Sequence, residues 1–193
     1  IPVADWRMAA NAEEAIEAAE SIGFPVVIKA DAKDIIHKSD MGAVALDLSN
    51  SQSVQNAIES MQRKVDTDSL RFLVQKYLPG GIEVIMGAKA EPDLGHLIMF
   101  GLGGIYVEVL KDVVFNLTPI TDAEAREMLA SIKGSPLLKG VRSQKGVDQN
   151  LLLELIQRLS QLVSDLPAIQ EMDLNPIMAF EESVVVVDAR ISL

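Results

Sequence analysis

Residues 171–190 read EMDLNPIMAFEESVVVVDAR. Two apolar runs flank a short acidic turn at Glu181-Glu182-Ser183, a β-hairpin pattern. If pairing is symmetric about the point between Glu181 and Glu182, Phe180 faces Ser183 and Asn175 lies directly opposite Asp188. Directly opposed residues of an antiparallel pair share a face, with β-carbons roughly 4.5–5.5 Å apart. Asp173, two residues before Asn175, falls on the same face by strand alternation. One face of the hairpin then presents Asp173, Asn175 and Asp188, all oxygen donors, with Glu171 one step further along. This chemistry suits Mg²⁺, a hard cation that keeps several waters and takes one or two carboxylates plus substrate phosphates. The alternative is a row of solvated polar residues on a half-buried hairpin, and a one-residue slip of register turns the trio apart.

Working back from the hairpin, the chain divides by pattern. Residues 1–70 read as a small α/β lobe. NAEEAIEAAESIG (11–23) predicts a helix capped by Asn11 and ended by Gly23, with a stripe of Ala15, Ile16, Ala19 and Ile22. PVVIKA (25–30) predicts a buried strand. AVALDL (43–48) predicts another, with Val44, Leu46 and Leu48 on one face, and residues 51–65 an amphipathic helix. Residues 71–193 form a second, larger region. RFLVQKYL, GIEVIMGAKA and HLIMFGL predict successive strands joined by Pro79-Gly80-Gly81 and EPDLG. IYVEVL (105–110) and VVFNLTPI (113–120) extend the strand-rich part. Helices are predicted at 122–134 and 149–166, and SPLLKG (135–140) reads as connecting chain.

Composition excludes several functions. The 193-residue chain carries a formal net charge of −11, which favours neither nucleic acid nor an anionic membrane surface. It has no cysteine, hence no disulfide framework or thiolate metal site, and a cytoplasmic setting is compatible. No apolar run approaches the ~20 residues of a membrane span. A chain that starts at Ile1 is expected to be part of a longer protein. An acidic protein that binds an anion must do so locally, with placed lysines and backbone amides.

Candidates for that task recur along the chain. Lys29 ends an otherwise apolar strand, as a phosphate contact or as a snorkelling lysine. FGLGGIYVE (100–108) has glycines but no following helix, so it is not a dinucleotide fingerprint. It reads as a tight turn, or as one whose backbone amides approach a phosphate. Gln75 and Glu83 sit where the two regions meet, a usual place for a ligand. His37, one of two histidines, lies in the charged stretch DAKDIIHKSDMG (31–42).

GFPVVIKA, HKSDMGAV, LVQKYLPGGIEVIMG, MFGLGGIYVEVLKD, LPAIQEMDLNP and VVDARI, in that order, cover almost the whole chain. As a set they resemble the ATP-grasp domain of ADP-forming acyl-CoA synthetases and, more distantly, the nucleotide-binding subunit of succinyl-CoA synthetase. The resemblance implies an α/β (α+β) fold of two lobes, 1–70 and 71–193, that clasp ATP or ADP with Mg²⁺ and end in a β-hairpin, with the family's opening helix absent before Ile1. It implies that Lys29 contacts phosphates and that Gln75, Lys76, Tyr77 and Leu78 form the adenine hinge. Glu83 would bind ribose, and the Gly101–Gly104 turn, Gly103 and Gly104 in it, would line the phosphates. Asn175 and Asp188 would hold the metal, with Asp173 beside them. His37 would be a phosphoryl carrier. The implied partner is a CoA-binding lobe, on the same chain or on another subunit, and the protein is a candidate oligomer. Ala43 stands where the family has a second glycine, His96 where it has a proline, and Arg142-Ser143 where it has Arg-Gly.

Similar domains also occur as regulatory modules in multidomain lysine acetyltransferases. A carboxylate–amine ligase on the same fold does not call for a histidine in the loop.

Overall fold

A computed structural model describes residues 1–31, 43–64, 70–104, 111–141 and 145–193. His37 and its neighbours Lys33, Lys38, Asp40 and Gly42, the stretch IYVEVL, and Arg142-Ser143 lie outside these residues. The chain forms two compact units, one of Ala4–Pro79 and one of Gly80–Leu193 with Ile1–Val3.

In the first unit, strands β1 (Trp6–Ala9), β2 (Val26–Asp31), β3 (Val44–Leu48) and β4 (Arg71–Lys76) make an antiparallel sheet in the order β1-β4-β2-β3. Helices α1 (Ala12–Ile22) and α2 (Ser51–Lys64) cover one face. α1 starts where the Asn11 side chain accepts from the Glu14 N–H at 2.9 Å, while the Glu14 carboxylate accepts from the Ala10 N–H at 2.8 Å. The first bond meets one orphan donor of the first turn, and the second ties the chain before the cap to the helix. Gly23, at φ 86°, ends the helix and returns its N–H to Ala19 O. The buried face of α1 is Ala15, Ala18 and Ala19, and that of α2 is Val54, Ile58 and Met61. They pack with Val26, Ile28, Ala30, Phe72 and Val74, the alternate residues of β2 and β4.

Three features differ from the sequence expectation. β1 has no alternating pattern to announce it; its apolar residues Trp6 and Met8 are on the exposed side. β4 pairs with β1 and β2, so it belongs to this sheet and not with the strands that follow it. Val44, Leu46 and Leu48 do not share one buried face. The β2–β3 register shifts between Val26 and Ile28, Asp47 takes φ 54°, and Leu46 is 61% exposed while Ala45 and Leu48 pack inward. An extra residue in one strand re-phases its alternation.

In the second unit, β5 (Ile82–Glu91), β6 (Gly95–Leu102), β7 (Val113–Leu117), β8 (Glu171–Ala179), β9 (Val184–Val186) and β10 (Ala189–Ser192) form an antiparallel sheet in the order β10-β8-β5-β6-β7, with β9 also on β8. Helices α3 (Asp122–Ser131), α4 (Ser135–Leu138) and α5 (Gln149–Asp165) lie on one face. Val84, Met86 and Ala88 of β5 and Ile98, Phe100 and Leu102 of β6 meet Leu152, Ile156, Leu159 and Val163 of α5 there. Helices segregated to one face of each antiparallel sheet are the α+β arrangement that the residue pattern predicts. SPLLKG is not plain connecting chain: it holds α4, whose Leu138 is fully buried. His96 is buried, its Nε2 2.7 Å from Ile169 O, and serves the fold.

Buried Asp112 fastens α4 to the sheet. Its two oxygens accept from the Lys133 N–H at 2.7 Å and the Gly134 N–H at 2.6 Å. Removing the carboxylate leaves two donors unmet in a poorly hydrated place. Asp112→Ala is therefore expected to lower unfolding free energy by about 2–3 kcal/mol in urea titrations. A loss within error of zero would mean that water replaces the carboxylate freely.

Candidate functional site

The terminal hairpin has the predicted register. Ile177 pairs with Val186, Met178 with Val185 and Ala179 with Val184, and the Phe180 N–H donates to Ser183 O at 2.8 Å. The same register continues outward. The Val187 N–H donates to Pro176 O at 3.0 Å and the Asn175 N–H to Asp188 O at 3.1 Å, and Asp173 pairs with Arg190. Asn175 and Asp188 are thus directly opposed and exposed.

On its other side, β8 is bulged. Val84 pairs with Ile177 but Met86 pairs with Leu174, so Asn175 and Pro176 together oppose Ile85. Burial changes phase at that point: Met172 and Leu174 face the core before it, Ile177 and Ala179 after it. A bulge re-aims side chains and leaves a residue outside the regular ladder. Here it coincides with Asn175 and with the break between β9 and β10 that holds Asp188.

Asp173 is half-buried on the open face of the sheet, away from the helices. Burial raises its pKa above the usual 3.8, Arg190 opposes that rise, and the negative charges of Glu171 and Asp188 add to it. Asp173 and Arg190 line a groove of ≈ 470 Å³ with Gly87, Lys89, Met99 and Phe115. Arg190 escaped the sequence reading, although the register that pairs Asn175 with Asp188 also sets it opposite Asp173.

Among the described residues, no three His, Cys, Asp or Glu side chains group as an all-protein metal cage. Two carboxylates and an amide oxygen at one bulge fit Mg²⁺, whose remaining ligands are commonly water and phosphate oxygens. They do not fit a soft or thiolate-seeking metal.

The titration of Asp173 has a sign. A carboxylate with a raised folded pKa contributes stability that is fully present below its unfolded value, near 3.8, and is lost as pH rises through the folded value. Asp173→Asn keeps the neutral form at all pH. It is expected to leave the metal-free Tm at pH 7 equal or higher, and to flatten the pH dependence just above 3.8. It should also shrink the Tm gain from Mg²⁺ plus nucleotide. Thermal melts from pH 4 to 8 check this, and a lower metal-free Tm at pH 7 would contradict it.

Glu83 and the glycines also come together in the second unit. The Gly103 N–H donates to Glu83 O at 2.8 Å. A β-carbon on Gly103 would lie 3.1 Å from Glu83 Cβ, and one on Gly104, at φ 57°, 2.9 Å from Glu83 Oε2. Only glycine allows this approach without displacement.

In the first unit, Lys29 and Gln75 lie on the sheet face away from α1 and α2, in adjacent strands and in successive cross-strand rows. The Lys76 ammonium donates to Gly23 O at 2.8 Å and Phe24 O at 3.0 Å, so it holds the end of α1. The N–H groups of Lys76 and Tyr77 donate to Asp5 O and Pro25 O. Tyr77 and Leu78 are half-buried.

A family model described as an ATP-grasp domain matches residues 1–193. The chain is 42% identical over 198 residues to the acetate–CoA ligase [ADP-forming] I subunit beta of Pyrococcus furiosus, covering all of this chain and 85% of that one. It is 45% identical over 200 residues to the 4-hydroxybutyrate–CoA ligase [ADP-forming] of Nitrosopumilus maritimus, but spans only 29% of that longer protein. Among solved structures, a dinucleotide-forming acetyl-coenzyme A synthetase 1 of Ca. Korarchaeum cryptofilum superposes in two complexes. One, with coenzyme A and Ca-AMPCP, gives a TM-score of 0.92 at 38% identity and covers 100% of this chain and 86% of that one. The other holds coenzyme A and Mg-AMPPCP, with its phosphohistidine segment pointing towards the nucleotide binding site. It gives 0.89 at 36% identity over 100% and 85% of the two chains. With the fold, the hairpin register and these likenesses together, the chain belongs to the ATP-grasp domain family, in the branch of the ADP-forming acyl-CoA synthetases.

Proposed function

We propose that this chain is the nucleotide-binding, phosphoryl-transferring part of an ADP-forming acyl-CoA synthetase. The overall reaction is acyl-CoA plus ADP and phosphate to acid, CoA and ATP, in either direction. The observation that carries this reading is the opposition of Asn175 and Asp188 at the β8 bulge, beside half-buried Asp173, in a chain of this family.

Asn175 and Asp188 hold Mg²⁺, with Asp173 next to them. When bound, the ion neutralises charge on the phosphates. Lys29 contacts the phosphates. The backbone of Gln75 to Leu78 borders the base, since the Lys76 ammonium is engaged at the end of α1. Glu83 takes the ribose, and Gly103 and Gly104 leave room for the close approach of phosphate to backbone. Phosphoryl transfer needs positioning and charge neutralisation more than covalent work by the protein.

His37 is the exception, because it accepts the group covalently. A neutral imidazole nitrogen attacks the γ-phosphorus and the bond to the β-phosphate oxygen breaks. ADP leaves with the electron pair, and the ring loses a proton to solvent. Lys33 and Lys38 flank His37 in sequence and offset the charge that travels with it. The phosphoryl group then passes to a CoA-handling lobe, in the same protein or in a second subunit. The relative from Pyrococcus furiosus is itself a beta subunit, and the one from Nitrosopumilus maritimus is a longer chain.

The test is ATP formation from acyl-CoA, ADP and phosphate by the protein with its CoA-handling partner. Mg²⁺-dependent ATP production is expected. Production of ATP only from AMP and pyrophosphate, or none with nucleotide bound, would refute the assignment.

A further inference from the structure

The cross-strand register of the first sheet aligns one row of residues as Trp6, Gln75 and Val27, and the next as Met8, Leu73, Lys29 and Val44. The residues that alternate with them, Ala9, Phe72, Val74, Val26, Ile28 and Ala30, are in the helix-side core. Trp6 therefore lies with Lys29 on the sheet face away from the helices and stands directly across from Gln75. It is 51% exposed, whereas Gln75 and Val27 in the same row are buried. The residue before it, Asp5, accepts the Lys76 N–H at 2.8 Å, so β1 is fastened alongside the segment 75–78. An indole left half in solvent gives up burial that this sheet offers elsewhere; a flat ligand laid against it recovers that area.

We propose that Trp6 is a further contact for the nucleotide, and that its indole flanks the purine base beside the segment Gln75 to Leu78. The assignment rests on the nucleotide-binding role proposed for this chain. An indole stacks on any purine and reads none of its hydrogen-bonding edge. Trp6 thus adds affinity for the base without choosing between adenine and guanine.

Trp6 is the sole tryptophan of the chain, so its emission reports this position alone. The experiment titrates the full chain with Mg-ADP, Mg-GDP and Mg-tripolyphosphate, following tryptophan fluorescence and, in parallel, the heat of binding. Both nucleotides are expected to quench or shift the emission with the same Kd that calorimetry gives. Trp6→Ala should weaken ADP roughly tenfold and leave tripolyphosphate unchanged, while Trp6→Phe stays within about threefold of wild type. ADP binding by calorimetry with unchanged emission and an unaltered Kd in Trp6→Ala would overturn the role of Trp6 and leave nucleotide binding standing. Equal weakening of tripolyphosphate, or an emission change only on adding the CoA-handling partner, would also overturn it. No binding of any nucleotide would overturn both. If Trp6→Ala fails to fold, the wild-type titration and Trp6→Phe still decide.

Discussion

Protein carrying His37→Ala, incubated with γ-labelled ATP, Mg²⁺ and the CoA-handling partner, is expected to acquire no acid-labile label. Wild type should label in proportion to active sites. Loss of the overall reaction should reach roughly a thousandfold or more, the scale seen when a covalently acting residue is removed. Nucleotide affinity should change by no more than about twofold, because binding is assigned to other residues. That split between chemistry and binding distinguishes a carrier from a residue that merely supports the fold. An imidazole can serve because it is largely neutral near pH 7, and its phosphoramidate is reactive enough to return the group to ADP. Label that persists in His37→Ala would move the carrier role elsewhere.

Asp188→Ala carries the second large effect. The β9–β10 break presents Asp188 opposite Asn175, and with Asp173 it makes a cluster whose negative charges already disfavour one another: Asp188 helps raise the Asp173 pKa. A divalent cation converts that repulsion into attraction. Without Asp188, affinity for Mg-ADP should fall by about a hundredfold or more, while the small affinity for metal-free ADP stays near its wild-type level. Calorimetry with and without Mg²⁺ separates the two. Equal losses with and without the ion would assign Asp188 to the shape of the hairpin instead.

The hairpin was legible because an antiparallel pair with a tight turn has one free parameter. Once the turn centre is placed between Glu181 and Glu182, every pair out to Asp173 with Arg190 follows. The bulge against β5 was not legible. It depends on where Ile85 falls beside Asn175 and Pro176, a pairing between residues some ninety positions apart in sequence that no local pattern encodes. β1 was missed for a related reason. Trp6 and Met8 turn their apolar side chains away from the helices, so the strand shows no inward stripe, and its place is known only from its partner β4. Leu46 misled because alternation was carried across Asp47, whose positive φ breaks it. Lys76 belonged to the hinge by motif, but only the fold shows its ammonium closing the end of α1. The helix with a strong cap and a 3.6-residue stripe was the easiest to read, as at Asn11 for α1, whereas the capping box of Thr121 with Glu124 at the start of α3 emerged only from the fold.

The most direct measurement is anomalous diffraction from a crystal grown with Mn²⁺ in place of Mg²⁺ and a non-hydrolysable ATP analogue. A manganese peak is expected within about 2.3 Å of oxygens from both Asp188 and Asn175, shared with the analogue's phosphates. A well-ordered analogue with its manganese away from both residues would contradict it.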